Sequence, residues 1–262
     1  MTNGAITGEF IKELLSKGAR EFGRGFNDYR RVVLSTGVIP HAEGSAECFI
    51  GNTRVLVGVK LAVSEPLPDK PHEGDIRTAA EMLPLASPDY EPGPPSPESI
   101  ELARVVDRGI RAAGMIDTKS LFIEEGKVWS VFIDIYVLNF DGNLFDACTL
   151  AGVAALLDCR MPAYKDGKED HENTVGKLKV TGMVTSSTFA KIGDKIVLDP
   201  DATEEKNAMD ARVTVATDEN LIRAMQKGGR GAFTAEEMDR IIQLTFEKSK
   251  DLRKIVKEAV GE

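Results

Sequence analysis

Three arginines within one amphipathic stretch have the types and spacing to bind an anion. Arg104, Arg108 and Arg111 are four and three residues apart, so on a helix they project from one side. No lysine accompanies them, and guanidinium groups make bidentate contacts with phosphate that an ammonium group cannot make. In a chain with a formal charge of -9, this row favours local recognition of a phosphate-bearing partner.

A solvated helix face is the alternative interpretation of the same residues. Glu101 would pair with Arg104 or Arg108, and Asp107 would pair with Arg111. Each pair would contribute ~0.2 to 0.5 kcal/mol. For an arbitrary helix, this paired and solvated face is the expected one.

The other basic residues give weaker signals. Arg24 and Arg30 lie in a Gly-rich loop near the N-terminus, where they either bind an anion or pin the loop to carboxylates of a neighbouring sheet, and both interpretations stay open. The histidines, His41, His72 and His171, lie in polar or loop-like contexts without a Ser, Cys or second His at catalytic spacing. We therefore expect surface histidines.

Composition indicates a globular cytoplasmic protein. The chain has 262 residues, 42% of them hydrophobic, which suffices for a sizeable core. We find neither an apolar run of the ~18 residues that a membrane span needs nor a secretory signal at Met1 to Phe10. Cys48, Cys148 and Cys159 show no metal-ligand spacing, so we expect reduced thiols and neither a disulfide nor a zinc site.

A strand, a tight turn and a buried helix between Val128 and Leu157 form the predicted core. The strand, Val128 to Asn139, has Asp134 as its one ionisable residue, so we expect both of its faces to be covered. After the turn, the helical stretch is rich in Ala and apolar all round, as a helix packed closely against a sheet must be. The turn between them is the natural place for chemistry.

The remaining elements follow from local signals. Thr7 would cap a helix from Gly8 to Lys17, and Ser96-Pro97 would open the arginine-bearing helix, which would end near Ala113. Thr234-x-x-Glu237 predicts a capping box before a long final helix. Predicted strands are Val32–Val38, Ala46–Ile50, Thr53–Val63, Ile76–Leu83, Leu121–Glu124, Leu178–Val184, Ser187–Ile192, Lys195–Leu198 and Arg212–Thr217.

Two segments are predicted to lack regular structure. Pro84 to Pro97 is too rich in proline for a helix or strand. Cys159 to Gly176 is polar and charged, which predicts an exposed loop. We place the boundary between two halves there, with residues 1–165 in the first half, including the N-terminal docking helix, and 166–262 in the second, including the long C-terminal helix.

Four stretches of the sequence resemble the RNase PH family. They are Gly23-Arg24 with Arg30, Gly44-Ser45-Ala46 through Gly51-Asn52-Thr53-Arg54-Val55, Leu83-Pro84-x-x-Ser87-Pro88 and Asp199-Pro200-Asp201-x-x-Glu204-Glu205. The resemblance runs from about Arg20 to Val256. Glu101 to Arg108 and Trp129 to Leu150 resemble in particular the non-catalytic ring subunit of the archaeal exosome.

This resemblance implies an α+β fold of two βαβα-type halves, the ribosomal protein S5 domain 2-like arrangement. It also implies a hexameric ring in which this chain alternates with a catalytic RNase PH-like subunit, beneath RNA-binding cap proteins. In that ring the non-catalytic subunit lends arginines to the single-stranded RNA bound at its partner's active site. The resemblance therefore points to Arg104 and Arg108, and then Arg111, as the RNA-binding residues.

The resemblance also identifies where an active site would lie, and what this chain lacks there. Active members carry Gly-Gly-Thr/Ser-Arg or a similar sequence at the strand-to-helix turn, and it binds phosphate. The corresponding residues here are Gly142-Asn143-Leu144-Phe145 followed by Asp146, in which the hydroxyl and the arginine have become apolar. We expect Asp146 to satisfy the free N–H groups at the helix start and predict no phosphate site.

Active members also use a pair of aspartates for metal binding and proton transfer. Glu204 and Asp210 are the corresponding residues, with Glu205 as an alternative, but a solvated connection has the same composition. With the phosphate turn lost, we favour the solvated loop and expect no catalytic residue, no metal and no cofactor. Two rival functions remain: a phosphorolytic ribonuclease that uses Glu204 and Asp210, and a stand-alone RNA-binding or assembly module.

Overall fold

The computed structural model describes residues 2–261. The α-helices within this range are α1 (Thr2–Ser16), α2 (Pro97–Ala112), α3 (Leu144–Asp158), α4 (Ala202–Asn207) and α5 (Ala235–Val260), and short 3-10 helices lie at Glu21–Gly23 and Thr118–Leu121. The strands are β1 (Val32–Thr36), β2 (Gly44–Ile50), β3 (Thr53–Ser64), β4 (Asp75–Met82), β5 (Phe122–Glu124), β6 (Lys127–Asn139), β7 (Arg160–Lys165), β8 (Lys168–Lys177), β9 (Thr185–Ile192), β10 (Lys195–Leu198), β11 (Ala211–Thr217) and β12 (Ile222–Gly229).

The first sheet has the order β1-β2-β3-β6-β4, with β5 paired to the end of β6. Its neighbours are antiparallel except β4 and β6, which are parallel. A parallel pair needs a long crossover, and here α2 lies within it. The predicted central strand is confirmed, because β6 lies between β3 and β4.

Helix α3 is buried along nearly its whole length, as its composition predicts. The backbones approach closely: a Cβ atom on Gly44 of β2 would lie 2.2 Å from the carbonyl oxygen of Ala155. On its other side, Thr149 is hydrogen-bonded to Ser186 of the second sheet at 3.1 Å. Helix α3 therefore lies between the two sheets and holds them together.

The prediction that both faces of the central strand are covered is wrong for this chain by itself. Burial alternates along β6, and Phe132, Asp134 and Tyr136 remain partly exposed. The physical reason is that α2 and α3 pack on the same face of the first sheet, so the alternate side chains of β6 point away from the core.

The second sheet has the order β10-β9-β11-β12 and is antiparallel throughout. Helix α1 packs on one side of it through Ile11 and Leu15, next to Ala190. Helix α5 packs Ile241 against Phe189 on the other side. The predicted capping box of α5 is confirmed, with reciprocal bonds between Thr234 and Glu237.

Several element predictions are wrong. The exposed loop predicted at Cys159 to Gly176 is the hairpin β7–β8, whose strands are polar because β8 faces solvent along most of its length. The strand predicted over Leu178–Val184 is reduced to a single bridge between Ile116 and Val180. Helix α1 begins at Thr2 rather than after Thr7, and neither α4 nor β12 was predicted.

The domain boundary predicted after residue 165 falls at the turn of the β7–β8 hairpin, and that division stays a prediction. No helix within residues 2–261 combines the length and apolarity that a membrane span requires.

Candidate functional site

Helix α2 presents the arginine row because its ends and its buried side are fixed by the sequence. The Ser96 hydroxyl accepts a hydrogen bond from the Ser99 N–H at 3.2 Å, and Pro97 occupies the first turn. Val105, Val106 and the other apolar side chains pack into the core. The arginines are consequently directed to the opposite, exposed face.

Two of the three arginines are unpaired. Arg104 and Arg108 are exposed, and within residues 2–261 neither forms a side-chain hydrogen bond or ion pair. Arg111 differs, because it forms ion pairs with Asp107 at 2.8 Å and Asp75 at 3.5 Å and donates to the carbonyl of Ile76. The structure thus leaves two guanidinium groups open to a ligand and anchors the third.

Glu101 is not the partner of this row. Its carboxylate accepts hydrogen bonds from Arg212 of β11 at 3.1 Å and from Gln226 of β12 at 3.0 Å. The pairing of Glu101 with Arg104 or Arg108, expected for a solvated face, is therefore wrong. The expected pairing of Asp107 with Arg111 is confirmed.

The turn before α3 is shaped by two residues with positive φ. Gly142 has φ 83°, and a Cβ there would lie 2.4 Å from the backbone of Asp201, so only glycine fits. Asn143 follows with φ 50° and makes no side-chain cap. Its backbone N–H donates instead to the carboxylate of Glu205 at 2.9 Å. A side chain of the protein thus occupies the anion-favouring end of α3.

Glu205, and not Asp146, is the carboxylate at the helix start, which corrects the prediction made from sequence. Burial raises the pKa of Glu205 to about 7. Asp146 is fully buried and accepts from Tyr29 at 2.9 Å and from the hydroxyl and N–H of Thr188 at 2.7 and 2.9 Å. Its carboxylate joins α3 to the second sheet instead of capping α3. Burial raises the pKa of Asp146 to about 7 as well.

The candidate carboxylate pair does not form a site. Glu204 is buried and accepts two 2.7 Å hydrogen bonds from Arg20, while Asp210 is exposed and pairs with Lys12 at 3.3 Å. The solvated-loop interpretation is wrong for Glu204, because its carboxylate lies in a buried ion pair. Within residues 2–261, we find no group of three or more His, Cys, Asp or Glu side chains placed to hold a metal ion.

The N-terminal arginines pin their loop to the second half of the chain. Arg30 donates to both carboxylate oxygens of Asp199, at 2.8 and 2.9 Å, and Arg24 donates to the same carboxylate at 2.8 Å. Burial by itself would raise the pKa of Asp199, but the bonds to Arg30 hold it below its ordinary value. Of the two interpretations left open from sequence, the pinning of the loop is the one observed.

A cavity of about 930 Å³ lies between the proline-rich segment and the N-terminal ends of α2 and α3. Its walls include Tyr90, Phe140, Phe145, Glu205 and Arg212. The guanidinium carbon of Arg212 lies 4.1 Å from the centroid of the Phe145 ring. The cavity is therefore lined by an aromatic ring and by Arg212, whose guanidinium group already donates to Glu101.

The remaining candidate residues lie outside this region. His41, His72 and His171 are exposed, as predicted. The cysteines Cys48, Cys148 and Cys159 are free and buried. The residue that sequence reasoning missed is Glu205, which appeared only as an alternative member of the carboxylate pair; no local signal connects it with a turn more than sixty residues away.

Comparison with known proteins agrees with this architecture. Residues 28–162 match domain 1 of the 3′ exoribonuclease family, and residues 182–248 match its domain 2. The exosome complex component Rrp42 of Methanothermobacter thermautotrophicus is 46% identical over 250 residues, covering 93% of this chain and 91% of the relative. The protein of that name from Thermococcus gammatolerans is 47% identical over 257 residues, covering 96% and 94%.

A solved structure is similar to this chain in three dimensions. In the Archaeoglobus fulgidus exosome with RNA bound to the active site, one chain is 41% identical to this one and has a TM-score of 0.91, covering 97% of this chain and 99% of that chain. These findings confirm the resemblance stated from the sequence and the predicted α+β, RNase PH-like fold. The chain therefore belongs to the 3′ exoribonuclease, or RNase PH, family.

Proposed function

We propose that this chain is a non-catalytic, RNA-contacting subunit of an archaeal exosome, a phosphate-dependent 3′-to-5′ exoribonuclease complex for RNA degradation and processing. In that complex it orders the active site of a catalytic RNase PH-like subunit. Relatives named as exosome components support the assignment to the complex. So does the similarity to a chain of an exosome solved with RNA bound.

The non-catalytic role is supported by the hydrogen bonding at the start of α3. Phosphorolysis needs inorganic phosphate held by hydrogen-bond donors and positive charge. Here the carboxylate of Glu205 accepts the Asn143 N–H, and Leu144 and Phe145 supply no polar side chain. An ionised Glu205 would repel a phosphate dianion from the same position.

The proposed RNA contact is supported by two arginines on α2 that have no partner among the described residues. Arg104 and Arg108 are exposed, and nothing among the described residues competes for them. A flexible single strand offers phosphates that two guanidinium groups one helical turn apart can bind together. Arg111 is the third candidate, although its ion pairs with Asp75 and Asp107 must be exchanged for phosphate.

The partners follow from the same proposal. A catalytic RNase PH-like subunit would alternate with this chain in a hexameric ring, RNA-binding cap proteins would sit on the ring, and the assembly would work in the cytoplasm. The partly exposed face of β6 at Phe132 and Tyr136 is available for burial against a neighbour. The division into two halves, residues 1–165 and 166–262, stays part of this proposal.

Phosphate-dependent shortening of a 3′-tailed RNA tests this function. Three samples are compared: this chain alone, the catalytic subunit alone, and the two together. The mixture is then repeated with Arg104→Ala and Arg108→Ala, and with Arg240→Ala as a matched control, since Arg240 is an exposed arginine on α5. We expect no shortening by this chain alone, activity in the mixture, and a loss of activity with the α2 variants but not with the control.

Other outcomes separate the rival functions. Robust phosphorolysis by this chain alone would mean that it is itself the ribonuclease, and the role assigned to Glu205 would be wrong. RNA binding without any effect on a catalytic subunit would instead indicate a stand-alone RNA-binding module. The gel shows shortening of the RNA, and fluorescence anisotropy with the same RNA shows binding.

A further inference from the structure

Glu101 is held away from the arginine face of α2 by two residues of the second sheet. Arg212 and Gln226 both donate to the same carboxylate oxygen of Glu101, at 3.1 and 3.0 Å. The carboxylate is partly exposed, with 34% of its side-chain surface accessible, so it is free to move if these bonds are lost. It stays in place because the second sheet holds it.

Arg212 is itself restricted to one position. Its side chain is only 15% exposed, and its guanidinium carbon lies 4.1 Å from the centroid of the Phe145 ring. Across from it, a Cβ on Gly228 would lie 2.9 Å from its Nη2 atom, so the glycine leaves the space that the guanidinium occupies. A stacked, enclosed arginine loses little further freedom when it binds a carboxylate.

Without these bonds, Glu101 would turn to the arginine face. It lies one helical turn before Arg104, and side chains at this spacing are neighbours on the helix surface. A carboxylate beside Arg104 would compete with an RNA phosphate for the same guanidinium and would repel the phosphate. Binding of Glu101 by the second sheet therefore keeps Arg104 available.

We propose that Arg212 and Gln226 are positioning residues for RNA binding, which act by holding Glu101 so that Arg104 stays open to phosphate. This inference rests on the proposed RNA contact of Arg104 and Arg108. It adds a role for the second half of the chain, since Arg212 and Gln226 belong to β11 and β12. Neither residue touches the RNA in this account.

The test measures the affinity of the full chain for a fluorescently labelled single-stranded oligoadenylate, as a function of salt. Arg212→Met removes the donors and keeps an elongated side chain over Phe145. We expect it to weaken binding about threefold and to lower the slope of log K against log salt by about 0.7, the value for one lost phosphate contact to a single strand. The double variant Arg212→Met with Glu101→Gln should restore both quantities.

Restored binding in the double variant distinguishes a positioning role of Arg212 from a general loss of structure. If Arg212→Met weakens binding and Glu101→Gln does not restore it, the inference is overturned. If Arg212→Met does not fold, as judged by thermal melting, Arg212→Gln, whose side chain is neutral and shorter, replaces it: a loss reversed by Glu101→Gln supports the inference, and unchanged affinity overturns it. Arg104→Ala in the otherwise natural chain is the separate test of the proposed function, because an unchanged affinity there would remove the RNA contact itself.

Discussion

Two sets of arginines in this chain have opposite environments. Arg20, Arg24 and Arg30 come together from the N-terminal segment and bind the buried carboxylates of Asp199 and Glu204. They fasten the beginning of the chain to its second half. Because the buried carboxylates already satisfy them, they are not available to a ligand.

The arginines of α2, in contrast, lie on an exposed face. Arg104 and Arg108 project from α2. Glu101, the acidic residue that was expected to pair with them, is bound to Arg212 and Gln226 instead. The role of each arginine is therefore set by the carboxylates that the fold brings opposite it. Variants of the two sets should separate these roles.

Arg20→Ala should have the largest effect, on stability. It leaves the buried carboxylate of Glu204 without its partner, and breaking a buried ion pair in this way costs ~3 to 5 kcal/mol. Arg104→Ala, on the exposed face, should change the free energy of unfolding by less than ~0.5 kcal/mol. Urea unfolding of both variants checks the contrast, and equal effects would mean that the two sets are not distinct.

The stability of the chain should depend on pH through Glu205. Burial raises the pKa of this carboxyl group to about 7. A raised pKa in the folded state favours the protonated form, so this contribution to stability is present in acid and is lost as the pH rises to about 7. Glu205→Gln should remove this part of the decrease, which amounts to at most ~3 kcal/mol, and leave the part due to Asp146, whose pKa burial also raises to about 7.

Urea unfolding at about pH 5 and at about pH 8 compares the two forms under conditions where Glu205 is mostly protonated and mostly ionised. The natural chain should lose stability relative to the Glu205→Gln variant at the higher pH. An identical pH dependence in the two proteins would contradict the assignment of the raised pKa to Glu205.

The double variant Arg104→Ala with Arg108→Ala should weaken RNA binding roughly tenfold at low salt and lower the salt slope by about 1.4, or about 0.7 for each lost phosphate contact. Arg240→Ala on α5 is the matched control and should leave both quantities unchanged. Fluorescence anisotropy with a single-stranded RNA measures them. An equal effect of Arg240→Ala would mean that binding depends on overall charge and not on α2.

Asp107→Asn should have the smallest effect. It removes the 2.8 Å ion pair that restrains Arg111 and so makes this arginine more available to phosphate. We expect about a twofold gain in RNA affinity, in keeping with the small free energy of one helical ion pair. An unchanged or weaker affinity would indicate that Arg111 is a structural residue and would reduce the RNA-binding set to Arg104 and Arg108.

The features that sequence predicted are those with local signals. Ser96-Pro97 and the apolar period identify α2, and Thr234 with Glu237 identifies the start of α5. The composition of α3 predicts its burial. The hairpin β7–β8 was missed because strands that face solvent lack the alternation of apolar and polar residues on which strand prediction depends.

The features that sequence did not predict are contacts between distant residues. The carboxylate at the start of α3 comes from Glu205 of α4, and Glu101 is held by residues of β11 and β12. Sequence rules pair each carboxylate with the nearest donor along the chain, which is the helix start for Asp146 and the arginine row for Glu101. In the folded chain the second sheet packs against α2 and α3, and both carboxylates accept hydrogen bonds from that sheet instead.

Calorimetry with inorganic phosphate shows whether the start of α3 binds this anion. Inorganic phosphate is titrated into the purified chain at about pH 8, where Glu205 is mostly ionised. We expect no heat of binding up to millimolar phosphate. Saturable binding in the micromolar range that is lost on substitution of Gly142 would place a phosphate site at this turn and contradict the account.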